Sequence, residues 1–126
     1  MKILLAEDDP SVQAIAHMSL TRVGKHDVKI VANGKEVMSA VQSEKFDLVL
    51  LDIMMPVMDG FETCTRLKAD ASTKDIPIIF LTAKAQAYEV QRGISAGAAG
   101  YILKPFDPME LHKQIDEVLN QNAKVA

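Results

Sequence analysis

The sequence predicts an α/β protein built on a parallel sheet. Strand-like and helix-like segments alternate from end to end, the pattern of strands joined by crossover helices. Four short apolar runs are bounded by turn residues, as strands buried on both faces should be. Each run also delivers a reactive group at its end: Glu7-Asp8-Asp9, then Asp52, Thr82 and Lys104. In open α/β sheets the carboxyl ends of the strands are where ligands bind.

The elements follow in order. Ile3-Leu4-Leu5-Ala6 is the first strand. Asp9 is the N-cap of the first helix and Pro10 its first residue. Val12, Ile15, Ala16 and Val23 should line its inner face, and Gly24 should end it. Val28 to Val31 is a second strand. Asn33-Gly34 opens a second helix carrying Val37, Met38 and Val41. Leu48-Val49-Leu50-Leu51 is the third strand, with Asp52 at its end. A loop runs to Asp59-Gly60, and a third helix follows through Phe61, Cys64 and Leu67. Pro77 stands at the start of the fourth strand, Ile78-Ile79-Phe80-Leu81, where proline is tolerated. A fourth helix near Ala85 to Ala96 has a thin apolar pattern, and Gly93 lowers its propensity. Gly100-Tyr101-Ile102-Leu103 is the fifth strand. Asp107 and Glu110 make a capping-box pattern around Pro108 for a fifth helix. Its stripe is Leu111, Ile115, Val118 and Leu119. A short polar tail runs from Asn120, so the domain should occupy residues 1–122, with 123–126 as tail.

Composition excludes several classes. At 126 residues the chain is one domain with room for its own core. A net charge of −3 with no basic stripe argues against direct nucleic-acid binding. No apolar run approaches the roughly 20 residues that span a bilayer, so membrane insertion is not expected. Met1 to Ala6 starts like a signal peptide, but Glu7-Asp8-Asp9 ends it too early. One cysteine, Cys64, allows no internal disulfide and fits a reducing compartment, the cytoplasm. Its helical period with Phe61 and Leu67 points to core packing.

The strand ends carry the chemistry. Crowded carboxylates repel unless a cation joins them. Mg²⁺ favours a few carboxylate oxygens together with waters and phosphate oxygens, and Glu7, Asp8 and Asp52 fit that need. Asp9 is better read as the N-cap. Thr82 can donate to a phosphoryl oxygen, and Lys104 can neutralise phosphate charge. Singly each has a plainer reading, as a cap or a solvated charge; together they form a site. Met54, Met55 and Met58 suggest packing. His17, His26 and His112 show no metal-ligand spacing and should be surface or partly buried.

These motifs resemble the receiver domain of two-component response regulators, of the chemotaxis-regulator type. The resemblance rests on Glu7-Asp8, on Leu51-Asp52-Ile53-Met54-Met55-Pro56-x-Met58-Asp59-Gly60, on Thr82-Ala83 and on Lys104-Pro105-Phe106. It covers essentially the whole chain. It implies a flavodoxin-like (βα)5 doubly wound parallel sheet in strand order 2-1-3-4-5. It implies Asp52 as phosphoacceptor, Asp8 as direct Mg²⁺ ligand, Glu7 acting mainly through water, and the Met54 carbonyl as a further ligand. Thr82 and Lys104 would contact the phosphoryl oxygens, and the Lys104-Pro105 bond would be cis. Tyr101 matches the aromatic that moves with the threonine in the family's switch. The phosphoryl donor would be a sensor histidine kinase or a histidine phosphotransfer protein. The output would be altered affinity for an effector at the fourth helix, fifth strand and fifth helix. A homodimer formed on phosphorylation is left open.

Some positions vary or depart from the family. Glu7 replaces the Asp often found there. The two positions that tune hydrolysis are Met54 and Lys84, which suggests slow self-dephosphorylation. Ala99-Gly100 lacks the Asp-Asp that often precedes the Tyr in winged-helix transcription regulators. Rival readings fit less well. A haloacid-dehalogenase-like phosphohydrolase places Asp-x-Asp after its first strand, whereas Asp52-x-Met54 follows the third. A flavin carrier would set its phosphate against Glu7-Asp8-Asp9, which repels it. A docking module without phosphate chemistry would not need the full motif set.

Overall fold

In the computed structural model residues 1–83 and 87–125 are described, with side chains described for 1–83 and 88–121. The strands are β1 (Lys2–Ala6), β2 (Asp27–Val31), β3 (Leu48–Asp52), β4 (Ile78–Thr82) and β5 (Gly100–Leu103). The helices are α1 (Pro10–Met18), α2 (Gly34–Ser43), α3 (Gly60–Ala69), α4 (Ala87–Ser95) and α5 (Leu111–Val125). All neighbouring strands run parallel, in the order β2-β1-β3-β4-β5. This is the order expected from the sequence.

Two apolar clusters explain why the strand runs lack polar alternation. Side chains along a strand alternate between the faces of the sheet. Leu4, Ala6, Val49, Leu51, Ile78 and Phe80 pack on one face with α2 and α3 residues Val37, Ala40, Phe61, Cys64 and Leu67. Ile3, Leu5, Leu48, Leu50, Ile79, Leu81 and Ile102 pack on the other with Ala16, Leu20, Leu111 and Ile115. Both faces are covered, so every residue of β3 and β4 is buried. The helix starts are capped as the sequence suggests. Asp9 accepts from Ser11, Asn33 from Glu36 and Asp59 from Glu62, each through a side-chain oxygen.

Three local readings are corrected. Ile15 is 42% and Val23 39% exposed, while Leu20 is fully buried. The cause is a π-helical stretch, Ser19–Val23, that continues α1. Its wider turn rotates Val23 off the stripe, and Gly24 ends it by donating to the Ser19 carbonyl. Ile15 instead flanks Val12, Pro105 and Phe106 at the surface. Second, the capping box before α5 is only half formed. Asp107 accepts from the Met109 amide at 2.8 Å, but Glu110 turns to Lys113 at 3.7 Å. Third, Met54 is 80% exposed, so it does not pack as Met55 does at 8%. α5 itself runs on through the polar tail to Val125. Cys64 is buried, as expected. Gly93 is buried in α4 against the Phe80 ring. Lys84 and Ala85 lie outside the described residues.

Candidate functional site

Burial of the central strands decides where the acids stand. Asp52 is the last residue of β3 and only 3% exposed. Glu7 follows β1 directly and is 1% exposed, its amide held by the Val31 carbonyl at 3.0 Å. The chain then turns sharply into α1. The Asp9 amide donates to Glu7 Oε1 at 3.2 Å, and Gln13 of α1 donates from Nε2 to the Glu7 carbonyl at 2.5 Å. Asp8, between them, is left exposed. Carboxylate oxygens of Glu7, Asp8 and Asp52 all lie within 4.8 Å of one another.

Lys104 closes the cluster. Its Nζ lies 3.0 Å from Glu7 Oε2 and 3.3 Å from Asp52 Oδ1. Its amide donates to the Thr82 carbonyl at 2.7 Å, which ties the end of β5 to the end of β4. The Lys104-Pro105 peptide is cis. The Met54 amide reaches Asp52 Oδ1 at 3.3 Å.

The electrostatics follow from this crowding. Burial raises the Asp52 pKa well above the carboxylate range, the Glu7 charge raises it further, and Lys104 works the other way. Burial opposes the Lys104 ammonium, but bonding to Glu7 and the Asp52 charge outweigh it and hold its pKa above the lysine norm. Three carboxylates and one ammonium leave two formal negative charges, which a divalent cation would balance. Oxygens around Mg²⁺ stand about 2.1 Å from the ion, hence about 3 Å apart at adjacent positions and about 4 Å at opposite ones. The observed spread, up to 4.8 Å, is slightly wider than that shell, so the three side chains would have to draw in around an ion, while their all-oxygen donor set suits a hard cation.

The loop after β3 is held under strain. The Met58 amide bonds back to the Pro56 carbonyl at 2.7 Å, so Val57 sits at φ 69° inside a γ-turn. A β-branched residue is costly there. Gly60 returns the chain to the strand, its amide on the Ile53 carbonyl at 3.0 Å. A Cβ on Gly60 would lie 2.4 Å from the Asp52 carbonyl oxygen. Glycine is therefore required for α3 to start against the backbone of Asp52. The sequence shows Asp59-Gly60 as a helix start, but not this contact. Gln13 was also missed; only its place one turn into α1 could have flagged it.

Thr82 ends β4 and is 6% exposed. It lines a cavity under α4 with Phe80, Val90, Gly93 and Tyr101. Tyr101 itself is 41% exposed on the edge strand, one residue from the buried Ile102. The sequence-predicted residues Glu7, Asp8, Asp52 and Lys104 thus meet in one site, and Thr82 and Tyr101 share a neighbouring cavity.

Acids at the ends of two central strands, with a lysine from a third, define a doubly wound protein with a strand-end acidic site. The sequence model of the response regulator receiver domain matches residues 3–116. The chain belongs to that family, the phosphoacceptor domains of two-component signalling. It is 37% identical over 121 residues to the DNA-binding response regulator MtrA of Mycolicibacterium smegmatis, covering 96% of this chain and 51% of that protein. The chain spans about half the length of the curated relatives it matches. Among solved structures, the chemotaxis response regulator CheY4 of Vibrio cholerae superposes with a TM-score of 0.87 at 32% identity, covering 93% of this chain and 97% of that one. The receiver domain of the sensor histidine kinase PA1611 of Pseudomonas aeruginosa, with a magnesium ion in its active-site cleft, gives 0.84 at 30% identity, covering 94% and 97%.

Proposed function

We propose that Asp52 accepts a phosphoryl group from a phosphohistidine and that the product switches partner binding. The carrying observation is the convergence of Glu7, Asp8, Asp52 and Lys104 at the ends of β1, β3 and β5. The donor is a sensor histidine kinase or a histidine phosphotransfer protein. An Asp52 oxygen attacks phosphorus, the P–N bond breaks, and the imidazole leaves carrying a proton from solvent. Glu7, Asp8, Asp52 and the Met54 carbonyl would hold Mg²⁺, which would supply charge neutralisation for the phosphoryl oxygens. Lys104 moves from its carboxylate pairing toward those oxygens, and the Thr82 hydroxyl donates to one. The protein's part is positioning and charge stabilisation.

The output follows from the Thr82 cavity. Thr82 turns toward the phosphoryl group, and Tyr101 moves in beneath α4. The α4–β5–α5 face then changes its affinity for a downstream effector. A phosphorylation-driven homodimer would form through that same face. The net charge gives this domain no direct hold on nucleic acid. Among the described residues no helix is long and apolar enough to cross a membrane, and a cytoplasmic location fits the lone buried cysteine. Hydrolysis of the phosphoryl group is slow because Met54 offers no strong hydrogen bond to an attacking water.

Transfer is tested with an acyl phosphate and Mg²⁺, reading intact mass, with Asp52→Asn beside the wild type. A second arm distinguishes a switch from a phosphohydrolase: release should stop near one phosphate per chain on small phosphomonoesters. Multiple turnover on such esters would overturn the switch reading.

A further inference from the structure

Away from the acidic site, two histidines 86 positions apart in sequence meet. His26 Nε2 lies 2.9 Å from His112 Nδ1, with the rings tilted at 49°. His26 leads into β2, and His112 lies in the first turn of α5. On the far side of His26, the amine of Met1 stands 3.0 Å from Nδ1. On the far side of His112, Asp116 Oδ2 stands 3.4 Å from Nε2. The pair has been given room. Gly24 has φ −83°, which any residue can adopt, yet a Cβ there would lie 2.7 Å from His26 Cδ2 and 3.0 Å from His112 Nδ1. Close by, the Ser19 hydroxyl donates to the Pro108 carbonyl, joining the π-helical stretch to the turn before α5.

The ends of this chain fix its protons. An ammonium only donates, so His26 Nδ1 must accept. A neutral imidazole then carries its hydrogen on Nε2 and donates it to His112 Nδ1. His112 in turn carries its hydrogen on Nε2, facing the Asp116 carboxylate, which only accepts. A peptide N–H in place of the amine would impose the same direction. One further proton on either ring sets two donors face to face and breaks a link.

We propose that His26 and His112 form a proton-operated clasp fixing the start of α5 to the segment between α1 and β2. It is closed when both rings are neutral and opened by a single proton. The charged groups acting on the pair are the Met1 amine, just before β1, and Asp116 on α5. Burial lowers the His26 pKa, the Met1 amine and His112 lower it further, and Asp116 opposes them. A lowered histidine pKa stabilises the fold fully above about 6.5, and the contribution is lost as pH falls below that toward the depressed value. Opening the clasp loosens the first turns of α5, next to the loop carrying Lys104. The inference does not depend on Asp52 being phosphorylated.

The test is imidazole ¹⁵N NMR on the full chain from about pH 8 to about pH 5, with protection factors for the α5 amides. At the upper end both rings should be Nε2–H tautomers. His26 should titrate below the ordinary histidine value of about 6.5, and α5 protection should fall about tenfold as it does, with α2 as the unaffected reference. His26→Phe and His112→Phe should each lower α5 protection at neutral pH and remove its pH dependence, and the double variant should do no more. Flat α5 protection across the range in the wild type, or pH dependence that survives in the variants, would overturn the clasp. If the variants do not fold, the wild-type tautomers and titration decide alone.

Discussion

Asp52 carries the largest conflict in the molecule, since the hydrophobic effect draws its strand into the centre while its charge would rather face water. A carboxyl whose pKa is raised on folding favours the folded state while protonated. Its contribution is full below the ordinary 3.8 and is lost as pH rises through about 7. The metal-free wild type should therefore lose melting temperature between these values relative to Asp52→Asn, by differential scanning calorimetry. Mg²⁺ should restore it near neutrality. At a hundredfold excess over Kd the linkage is about 2.7 kcal/mol, or roughly 10 °C for a chain of this size. Asp8→Asn should remove most of that rise. No Mg²⁺-dependent rise in the wild type would count against the ion site.

Met54 belongs to the same scale. It is 80% exposed, so exchanging it should leave the fold within about 0.5 kcal/mol. Asn at this position offers an attacking water one hydrogen bond, worth about 1 kcal/mol net, or roughly fivefold in rate. Phosphate release from Met54→Asn should be faster by about that factor. Equal rates would remove Met54 as the brake. The sequence misread this side chain as packing because methionine type says nothing of which way a loop turns. The γ-turn at Val57 and the return at Gly60 decide it, and both are contacts between loop and strand.

Among the elements, the strands were legible because each is a short local run, and β1, β3 and β4 are buried on both faces. The ends of α1 and α5 were not. Ile15 and Val23 keep the helical period in sequence, but the π-helical stretch after Met18 shifts the phase. The partner that the stretch meets through Ser19, the Pro108 carbonyl, lies far along the chain. The loop between β3 and α3 gives a direct test of packing. Gly60→Ala sets a Cβ against the immovable backbone of Asp52 and Ile53. It should cost about 1–3 kcal/mol, or roughly 4–10 °C of melting temperature. A melting temperature unchanged within a degree would show that α3 can back away from β3.

α4 is the element placed to move. Tyr88 is 67% and Ile94 54% exposed, and among its described side-chain positions only Gly93 is buried. Few buried contacts make local rearrangement cheap. With beryllofluoride and Mg²⁺, amide shifts should spread from Asp52 through Thr82 to α4 and Tyr101. Thr82→Ala should confine them to the acidic pocket. A full spread in that variant would place the coupling on another route.

At the scale of the whole molecule, the strand order came from the resemblance to the receiver family, and the meeting of Glu7, Asp8, Asp52 and Lys104 at one edge follows from a parallel sheet once the strands are found. Parallel strands joined by helices put all their carboxyl ends on one edge. Pairings outside that rule stayed hidden, as with His26 and His112, whose meeting depends on how α5 lies against the start of β2. The central claim is that this edge makes Asp52 a phosphoacceptor. The most direct measurement is intact-mass spectrometry after incubation with acetyl phosphate and Mg²⁺, followed by peptide mapping. The account expects one added phosphoryl group, carried by Asp52, dependent on Mg²⁺ and absent in Asp52→Asn. Undiminished labelling of that variant, or a label mapped to another residue, would contradict it.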